Sequence, residues 1–173
     1  MTLNKEEDVA GFLGIDISKL PNGDVEMTQI GLIDRIIVAL GLEEANPKYT
    51  PATILPLPKD LNGDEPEGLF NYASVVGMML YLQGSTRPDI SFAVNQCARF
   101  SANPKKIHEM GLKHIGRYLK ATRTQGTMIL KNDPITSLDC WCDANFAGLW
   151  KVEDHQDTTS VKSRTGYIFT LGS

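Results

Sequence analysis

The pattern of apolar and polar residues predicts a hairpin and then a helix near the start of the chain. Residues 11–18 (GFLGIDIS) favour a strand, and the turn sequence PNGD precedes a short second strand, so a hairpin is predicted over 11–29. Thr28 is predicted to cap a helix over 29–41 that stops at Gly41. The apolar residues of this helix share one face at about 100° per residue; they are Ile30, Ile33, Ile36, Ile37 and Leu40.

Residues 42–69 interrupt this periodic pattern. Five of the nine prolines fall in this segment, beside the acidic sequence LNGDEPEG. Connections inside a domain seldom exceed about 12–15 residues without structure of their own. The segment is therefore predicted to be either a linker or a long loop that wraps around the protein.

Three more helices and three short strands are predicted in the rest of the chain, which gives the α+β fold class. Residues 70–84 are apolar on almost all sides, which is typical of a buried helix. A second helix is predicted from Pro88 to about Phe100, and a third over 104–121, capped by Asn103-Pro104. The predicted strands are 127–130, 137–143 and 164–171. Since the chain stops at Ser173 with no further strand, we expect a truncated last domain.

The composition is that of a globular protein of one or at most two domains. The chain has 173 residues, 42% of them apolar, and a domain usually takes about 100–200 residues. No apolar run approaches the roughly 18 residues of a membrane span, and the polar, acidic N-terminus is unlike a secretory signal. The three cysteines fit no disulfide framework. A reduced intracellular protein is predicted.

The formal net charge of −4 hides a basic segment. Residues 104–131 hold seven basic groups and one acidic group, whereas residues 1–103 hold seven and fourteen, and residues 132–173 hold three and six. Acidic proteins seldom bind nucleic acid, but a net charge averaged over the whole chain does not exclude nucleic-acid binding by its basic segment. The basic segment coincides with the predicted helix over 104–121.

That helix is the first candidate site. Lys106, Lys113, Arg117 and Lys120 fall within roughly 60° on the side opposite the apolar residues, which include Ile107 and Met110. This set of four cations is called the cationic stripe below, and Arg123 follows it closely. A helix with a packed face and a cationic stripe can lie along a phosphate backbone, with steeply salt-dependent affinity. An ordinary solvated helix face remains the alternative.

Asp143 is the second candidate, in the sequence WCDANFAG at 141–148. It lies on the predicted strand 137–143, just after Leu138, Cys140 and Cys142, and Mg²⁺ prefers carboxylate oxygens. One aspartate cannot hold two metal ions, and a turn or capping role is the alternative. Cys140 and Cys142 lack the four-ligand pattern of structural zinc, so they are predicted to be small core residues.

Several separated sequences together resemble the polyprotein of copia-type LTR retrotransposons. They are FLGIDI at 12–17, MTQ at 27–29, YASVVGMMLYLQGSTRPDISFAVNQCARF at 72–100, IGRYLKATRTQG at 115–126, WCDANFAG at 141–148 and SRTGYIFTLG at 163–172. They occur in the family's order over nearly the whole chain. Each sequence alone is a weak signal, but the set is highly specific.

The resemblance implies a reverse transcriptase joined to the start of a ribonuclease H domain. Residues 1–131 would be the C-terminal part of the reverse transcriptase, with the palm end at 11–29 and thumb or connection helices over 29–121. Residues 132–173 would be the first strands of an incomplete ribonuclease H-like α/β sheet. The parent enzyme would use Mg²⁺, and Asp143 matches its first metal-binding carboxylate. The implied partners are an RNA–DNA hybrid or template–primer duplex and the rest of the polyprotein. Membrane binding is not expected.

The departures from the family limit the expected activity. The polymerase Y-x-D-D sequence and the ribonuclease H sequence S-T-x-A-E-Y do not occur in the chain, and Asn145 replaces a carboxylate. We therefore expect a fragment, from a decayed copy or a truncated gene model, that is inactive alone and does not bind Mg²⁺ tightly. The expected location is a cytoplasmic virus-like particle or the nucleus. The alternatives are a non-catalytic nucleic-acid-binding module retained by a host and an inert structural remnant.

Overall fold

Helices and antiparallel strands are both present, as the α+β class predicts. The computed structural model describes residues 11–53, 56–131, 138–145 and 163–171. The chain divides into two units, Met1–Ile129 and Leu130–Ser173.

The described part of the first unit begins with three short antiparallel strands. They are β1 (Gly11–Phe12), β2 (Ile15–Lys19) and β3 (Val25–Thr28). The predicted hairpin over 11–29 is confirmed, since β2 pairs with β3. The prediction of one continuous strand over 11–18 is wrong. Leu13 and Gly14 take positive φ values of 52° and 75°, so the chain turns there and β1 pairs back onto β2.

Four helices lie in sequence between β3 and a fourth strand of the same sheet. They are α1 (Ile30–Ala39), α2 (Tyr72–Ser85), α3 (Ser91–Ala98), which follows a 3₁₀ turn at Pro88–Ile90, and α4 (Lys106–Ala121). The fourth strand, β4 (Thr127–Ile129), pairs antiparallel with β3, and the sheet order is β1-β2-β3-β4. None of the helices in the described part of the chain is long and apolar enough to cross a membrane.

The four helices enclose the core of the first unit. The apolar face predicted for α1 is confirmed, because Ile33, Ile36, Ile37 and Leu40 are buried. They pack with one face of α2 and with parts of α3 and α4; the other buried residues include Val75, Val76, Met79, Leu82, Ile90, Val94, Leu112, Ile115 and Leu119. The prediction that α2 is buried on all sides is wrong, since Leu80 and Tyr81 are exposed.

The C-terminal end of α1 agrees with the prediction from sequence, and its N-terminal end does not. Gly41 follows the helix with a φ of 64°, a conformation that glycine adopts without strain, so the predicted stop is confirmed. The N-cap position is Gln29 rather than Thr28, and no side chain caps the helix there. Gln29 is buried instead, and its Oε1 accepts a hydrogen bond of 2.9 Å from the hydroxyl of Thr86.

The second unit contains a two-stranded antiparallel sheet. Its strands are β5 (Leu138–Asn145) and β6 (Arg164–Leu171), close to the predicted bounds. The prediction that Cys140 and Cys142 are core residues is wrong. Both side chains are exposed, because the described residues of this unit place no second layer against the sheet.

Candidate nucleic-acid interface

Helix α4 carries the candidate site, and a histidine caps it. The helix begins at Lys106, two residues after the predicted start, and Asn103-Pro104 does not cap it. The backbone N–H of Lys105 instead donates to Nδ1 of His108 at 2.8 Å. Since Nδ1 accepts, the ring hydrogen lies on Nε2, which donates to the carbonyl of Pro58 at 2.9 Å. The ring stacks on Phe100 with a centroid distance of 3.9 Å.

The residues packed by α4 differ in part from the predicted apolar arc. Leu112, Ile115 and Leu119 are buried, as predicted, but Met110 is 60% exposed. His108 and Glu109 are buried in the first turn instead. Polar side chains therefore anchor the start of the helix, which a hydrophobic pattern does not reveal.

The proline-rich segment 42–69, here called the strap, wraps along α4. The backbone N–H of Lys48 donates to the carbonyl of Arg117 at 3.2 Å, and the N–H of Lys106 donates to the carbonyl of Asp64 at 3.0 Å. Nε2 of His114 lies 2.9 Å from the carbonyl oxygen of Thr50. Of the two predicted alternatives, the wrapping loop is therefore confirmed; residues 54 and 55 lie outside the described part of the strap.

Two cations of the stripe share one carboxylate of the strap. Nζ of Lys106 lies 3.4 Å from Oε1 of Glu67, and Nζ of Lys113 lies 3.3 Å from its Oε2. Hydrogen bonds from Lys113 and then Lys106 hold the pKa of Glu67 below its usual value. The three side chains remain partly exposed, at 45% for Lys106, 29% for Lys113 and 42% for Glu67.

The other two cations of the stripe donate to backbone carbonyls of the strap. Nε of Arg117 donates to the carbonyl of Asn46. Nζ of Lys120 donates to the carbonyls of Glu43, of Ala45 at 3.0 Å and of Leu42 at 3.4 Å. All four stripe cations therefore contact the strap, and the stripe is not a bare solvated face.

Arg123 contacts a different element. Its Nε and second terminal nitrogen donate to the two carboxylate oxygens of Asp34 on α1, at 2.5 and 2.6 Å. This bidentate hydrogen bond lowers the pKa of Asp34. Arg123 therefore joins the end of α4 to α1.

The sequence pattern missed Glu109, which fixes the end of the strap. Its two carboxylate oxygens accept hydrogen bonds from the backbone N–H of Glu67 at 2.8 Å and of Gly68 at 3.2 Å. Glu109 is the single acidic residue among the charges of the basic segment. A lone carboxylate in a basic segment is the signal that could have drawn attention to Glu109. Its partners, the N–H groups of Glu67 and Gly68, are more than 40 positions away and cannot be predicted from the sequence.

A groove between the first hairpin, α1 and α2 was also missed. Its volume is about 620 Å³, and its lining includes Arg35, Tyr81 and Gln29 with three glycines, Gly14, Gly31 and Gly77. A Cβ placed at any of the three glycines would contact nothing within 4 Å. Nε2 of the buried Gln29 has no hydrogen-bond partner among the described residues. The groove therefore has open space beside its glycines and a cationic side chain, Arg35, in its lining.

Asp143 lies on β5, where it pairs across the sheet with Gly166, and its side chain is exposed. Its carboxylate is of the type that Mg²⁺ prefers. The described residues contain no group of three or more histidine, cysteine, aspartate or glutamate side chains that could hold a metal ion. The end of the predicted sequence, residues 146–148, lies outside the described residues. One carboxylate fits part of a metal site.

The chain is homologous to retrovirus-related Pol polyproteins of plant transposons. It is 32% identical over 171 residues to the Pol polyprotein from transposon RE1 of Arabidopsis thaliana, covering 99% of this chain. It is 35% identical over 151 residues to that from transposon TNT 1-94 of Nicotiana tabacum, covering 84% of this chain. In both cases it spans 11% of the polyprotein. An uncharacterized mitochondrial protein of Arabidopsis thaliana is 32% identical over 93% of this chain and 62% of that protein.

No protein-family model and no solved structure matches the chain. The similarity to the transposon Pol polyproteins supports a fragment of a retrotransposon polyprotein.

Proposed function

We propose that the chain is the part of a copia-type polyprotein that joins the end of the reverse transcriptase to the start of ribonuclease H. We propose further that it binds an RNA–DNA hybrid or a template–primer duplex. The homology to transposon Pol polyproteins over 99% of the chain supports the first statement. The parent polyprotein would carry out reverse transcription in a cytoplasmic particle or in the nucleus.

The observation that carries the binding proposal is the arrangement of cations on α4. Lys106, Lys113, Arg117 and Lys120 lie on one side of a single helix, and all four keep part of their surface exposed. Their spacing follows the helix axis, so successive cations can contact successive phosphates of one backbone. The opposite side of α4 is packed in the core, which holds the stripe in a fixed orientation.

The salt dependence of binding by the full chain tests this proposal. Each neutralised phosphate contributes a slope of about −0.9 in log K against log salt for a B-form duplex. Lys113→Ala should therefore weaken binding to a labelled hybrid and reduce the slope by about one unit. Lys19→Ala is the matched control, because it removes one exposed lysine from β2, away from the stripe. Equal binding and equal slopes in both variants would contradict the proposal.

The glycine-lined groove is a second candidate surface for the same ligand. The guanidinium of Arg35 supplies donors, and the open space at Gly77 lets a backbone approach closely. Gly77→Leu should narrow the groove without touching the stripe. If the groove holds the nucleic acid, Gly77→Leu and Arg35→Ala will weaken binding while Lys113→Ala will not.

We propose that Asp143 corresponds to the first metal-binding carboxylate of ribonuclease H. Its place in DANFAG and its exposure on β5 support this assignment. Mg²⁺ bound in the complete parent would supply charge stabilisation to phosphoryl transfer. In this chain Asp143 can offer one carboxylate ligand, and further ligands would come from residues beyond those described.

A further inference from the structure

Every cation of the stripe already contacts an acceptor of the strap. Lys106 and Lys113 contact the carboxylate of Glu67, and Arg117 and Lys120 donate to strap carbonyls. Phosphate oxygens would compete for the same N–H groups, since a phosphate, a carboxylate and a carbonyl are all hydrogen-bond acceptors. A nucleic acid and the strap therefore cannot both satisfy these donors in full.

We propose that the strap is an internal competitor for the stripe, so that a nucleic-acid backbone binds by displacing the Glu67 side chain from Lys106 and Lys113. This inference rests on the proposed binding function. It adds a regulatory device: the affinity of the stripe is set by a segment of the same chain rather than by the stripe alone.

The charge of the strap supports this role. The strap holds six carboxylates and two lysines, in contrast to the one carboxylate and seven cations of residues 104–131. It is therefore opposite in sign to the segment that it covers. Besides Glu67, Glu65 pairs with Lys105 next to the stripe. The strap thus carries its own negative groups to positions that a phosphate backbone would otherwise occupy.

The strength of the contacts differs along the strap, which locates the part that can be displaced. The Glu67 carboxylate pairs with two partly exposed lysines, and such exposed pairs contribute little net stability. The carbonyls around Lys120 belong to a stretch that packs Leu42 into the core. The Glu67 side chain should therefore yield to phosphate, while the start of the strap stays in place.

The buried Glu109 holds the backbone beside Glu67 while the side chain exchanges partners. Its carboxylate accepts from the N–H groups of Glu67 and Gly68, and its own side chain is only 2% exposed. The strap is thus tethered on both sides of the exposed pair. Displacement then needs a change in side-chain partners and a small shift of the chain rather than unfolding.

Equilibrium binding of the full chain to a labelled RNA–DNA hybrid tests the proposal. Glu67→Gln should bind about three- to tenfold more tightly than the unaltered chain at fixed salt, because two competing ion pairs are weakened. Glu44→Gln is the matched control: it makes the same change in net charge at an exposed strap carboxylate that contacts no stripe cation in the described residues. The gain from Glu67→Gln should disappear in a Lys106→Ala/Lys113→Ala background.

The outcomes separate this inference from the binding proposal. If binding depends on the stripe but Glu67→Gln and Glu44→Gln behave alike, the strap is not a competitor and the proposed function stands. If no variant of the stripe alters binding, the proposed function itself is wrong. Should Glu67→Gln fail to fold, the side-chain carboxylate of Glu67 in the unaltered chain gives the test. Added hybrid should shift its ¹³C carboxylate resonance, because the carboxylate loses its contacts with Lys106 and Lys113, and an unchanged resonance would overturn the inference.

Discussion

Arg87 is a buried charge whose partners come from two parts of the first unit, the corner after α2 and the C-terminal end of α4. Its guanidinium donates two hydrogen bonds to the Asp89 carboxylate, at 2.9 and 2.8 Å, and two to the carbonyl and hydroxyl of Thr122, at 3.0 and 2.7 Å. It also lies over the ring of Tyr118, whose hydroxyl donates to Asp89 at 2.8 Å. The corner after α2 is therefore tied to the end of α4 by one side chain.

Arg87→Ala should destabilise the protein by about 1–3 kcal/mol, because the Thr122 carbonyl loses its Arg87 donor and the partly exposed Asp89 carboxylate keeps only the hydrogen bond from Tyr118. Arg87→Lys should recover only part of the loss, since an ammonium cannot make the bidentate contact. The free energy of unfolding from denaturant titration measures both effects. Arg35→Ala, at an exposed position on α1, is the control and should change stability by less than about 0.5 kcal/mol. A similar loss in both alanine variants would show that burial of Arg87 does not matter.

At the scale of elements, two glycines test how closely the strands and helices approach. A Cβ on Gly126 would lie 2.0 Å from the carbonyl oxygen of Met27, in the backbone of β3. A Cβ on Gly77 in α2 would meet nothing within 4 Å. The first glycine is needed for β4 to reach the sheet, whereas the second is a helix position that alanine would suit.

Gly126→Ala should therefore cost about 1–3 kcal/mol of stability, because the backbone of β3 cannot move aside as a side-chain end can. Gly77→Ala should stabilise the protein by about 0.5–1 kcal/mol, since alanine loses less conformational freedom in a helix. Urea titrations of both variants give the comparison. Equal and small effects would indicate that β4 does not pair with β3 in solution.

The elements that could be predicted from sequence are those with a local signal. The α1 face from Ile33 to Leu40 and the turn at PNGD follow from spacing and from turn residues, and both are present. The turn at Leu13 was missed because leucine rarely takes a positive φ. The sequence indicated the cationic stripe on one helix, but it did not indicate that the strap contacts the stripe. The contact between Lys113 and Glu67 joins residues that are 46 positions apart, and periodicity carries no such information.

At the scale of the whole chain, the charge is balanced by position as well as by number. The basic residues of α4 face an acidic strap, and Arg123 faces Asp34, so the formal charge of −4 reports little about any one surface. Two carboxylates in these contacts, Asp34 and Glu67, have lowered pKa values, and so does Asp89, which pairs with Arg87. For Asp89, burial opposes ionisation, and the hydrogen bonds from Arg87 and Tyr118 outweigh it.

These lowered pKa values predict a loss of stability in acid. In the unfolded chain the same groups bind protons near their ordinary values of 3.8 for aspartate and 4.5 for glutamate. The unfolded state therefore takes up protons first, so the stabilisation is complete above those values and is lost as the pH falls through the folded pKa values. The denaturant concentration at the unfolding midpoint should therefore decrease as the pH is lowered from about 5 to about 3. Asp34→Asn should reduce this dependence, because it removes one carboxylate whose pKa is lowered; a midpoint independent of pH would contradict the assignment.

The isolated chain should not cleave the RNA of a hybrid. Two-metal phosphoryl transfer needs several carboxylates around ions about 3.5–4 Å apart. Asp143 offers one such carboxylate, and the S-T-x-A-E-Y sequence, which by the resemblance would supply another, does not occur in the chain. Incubation of the full chain with a labelled RNA–DNA hybrid and Mg²⁺ should give no more product than buffer alone. Asp143→Asn separates the possible causes of any cleavage: product that persists in the variant comes from a contaminating nuclease, whereas product lost with Asp143 would show that this chain is itself a ribonuclease.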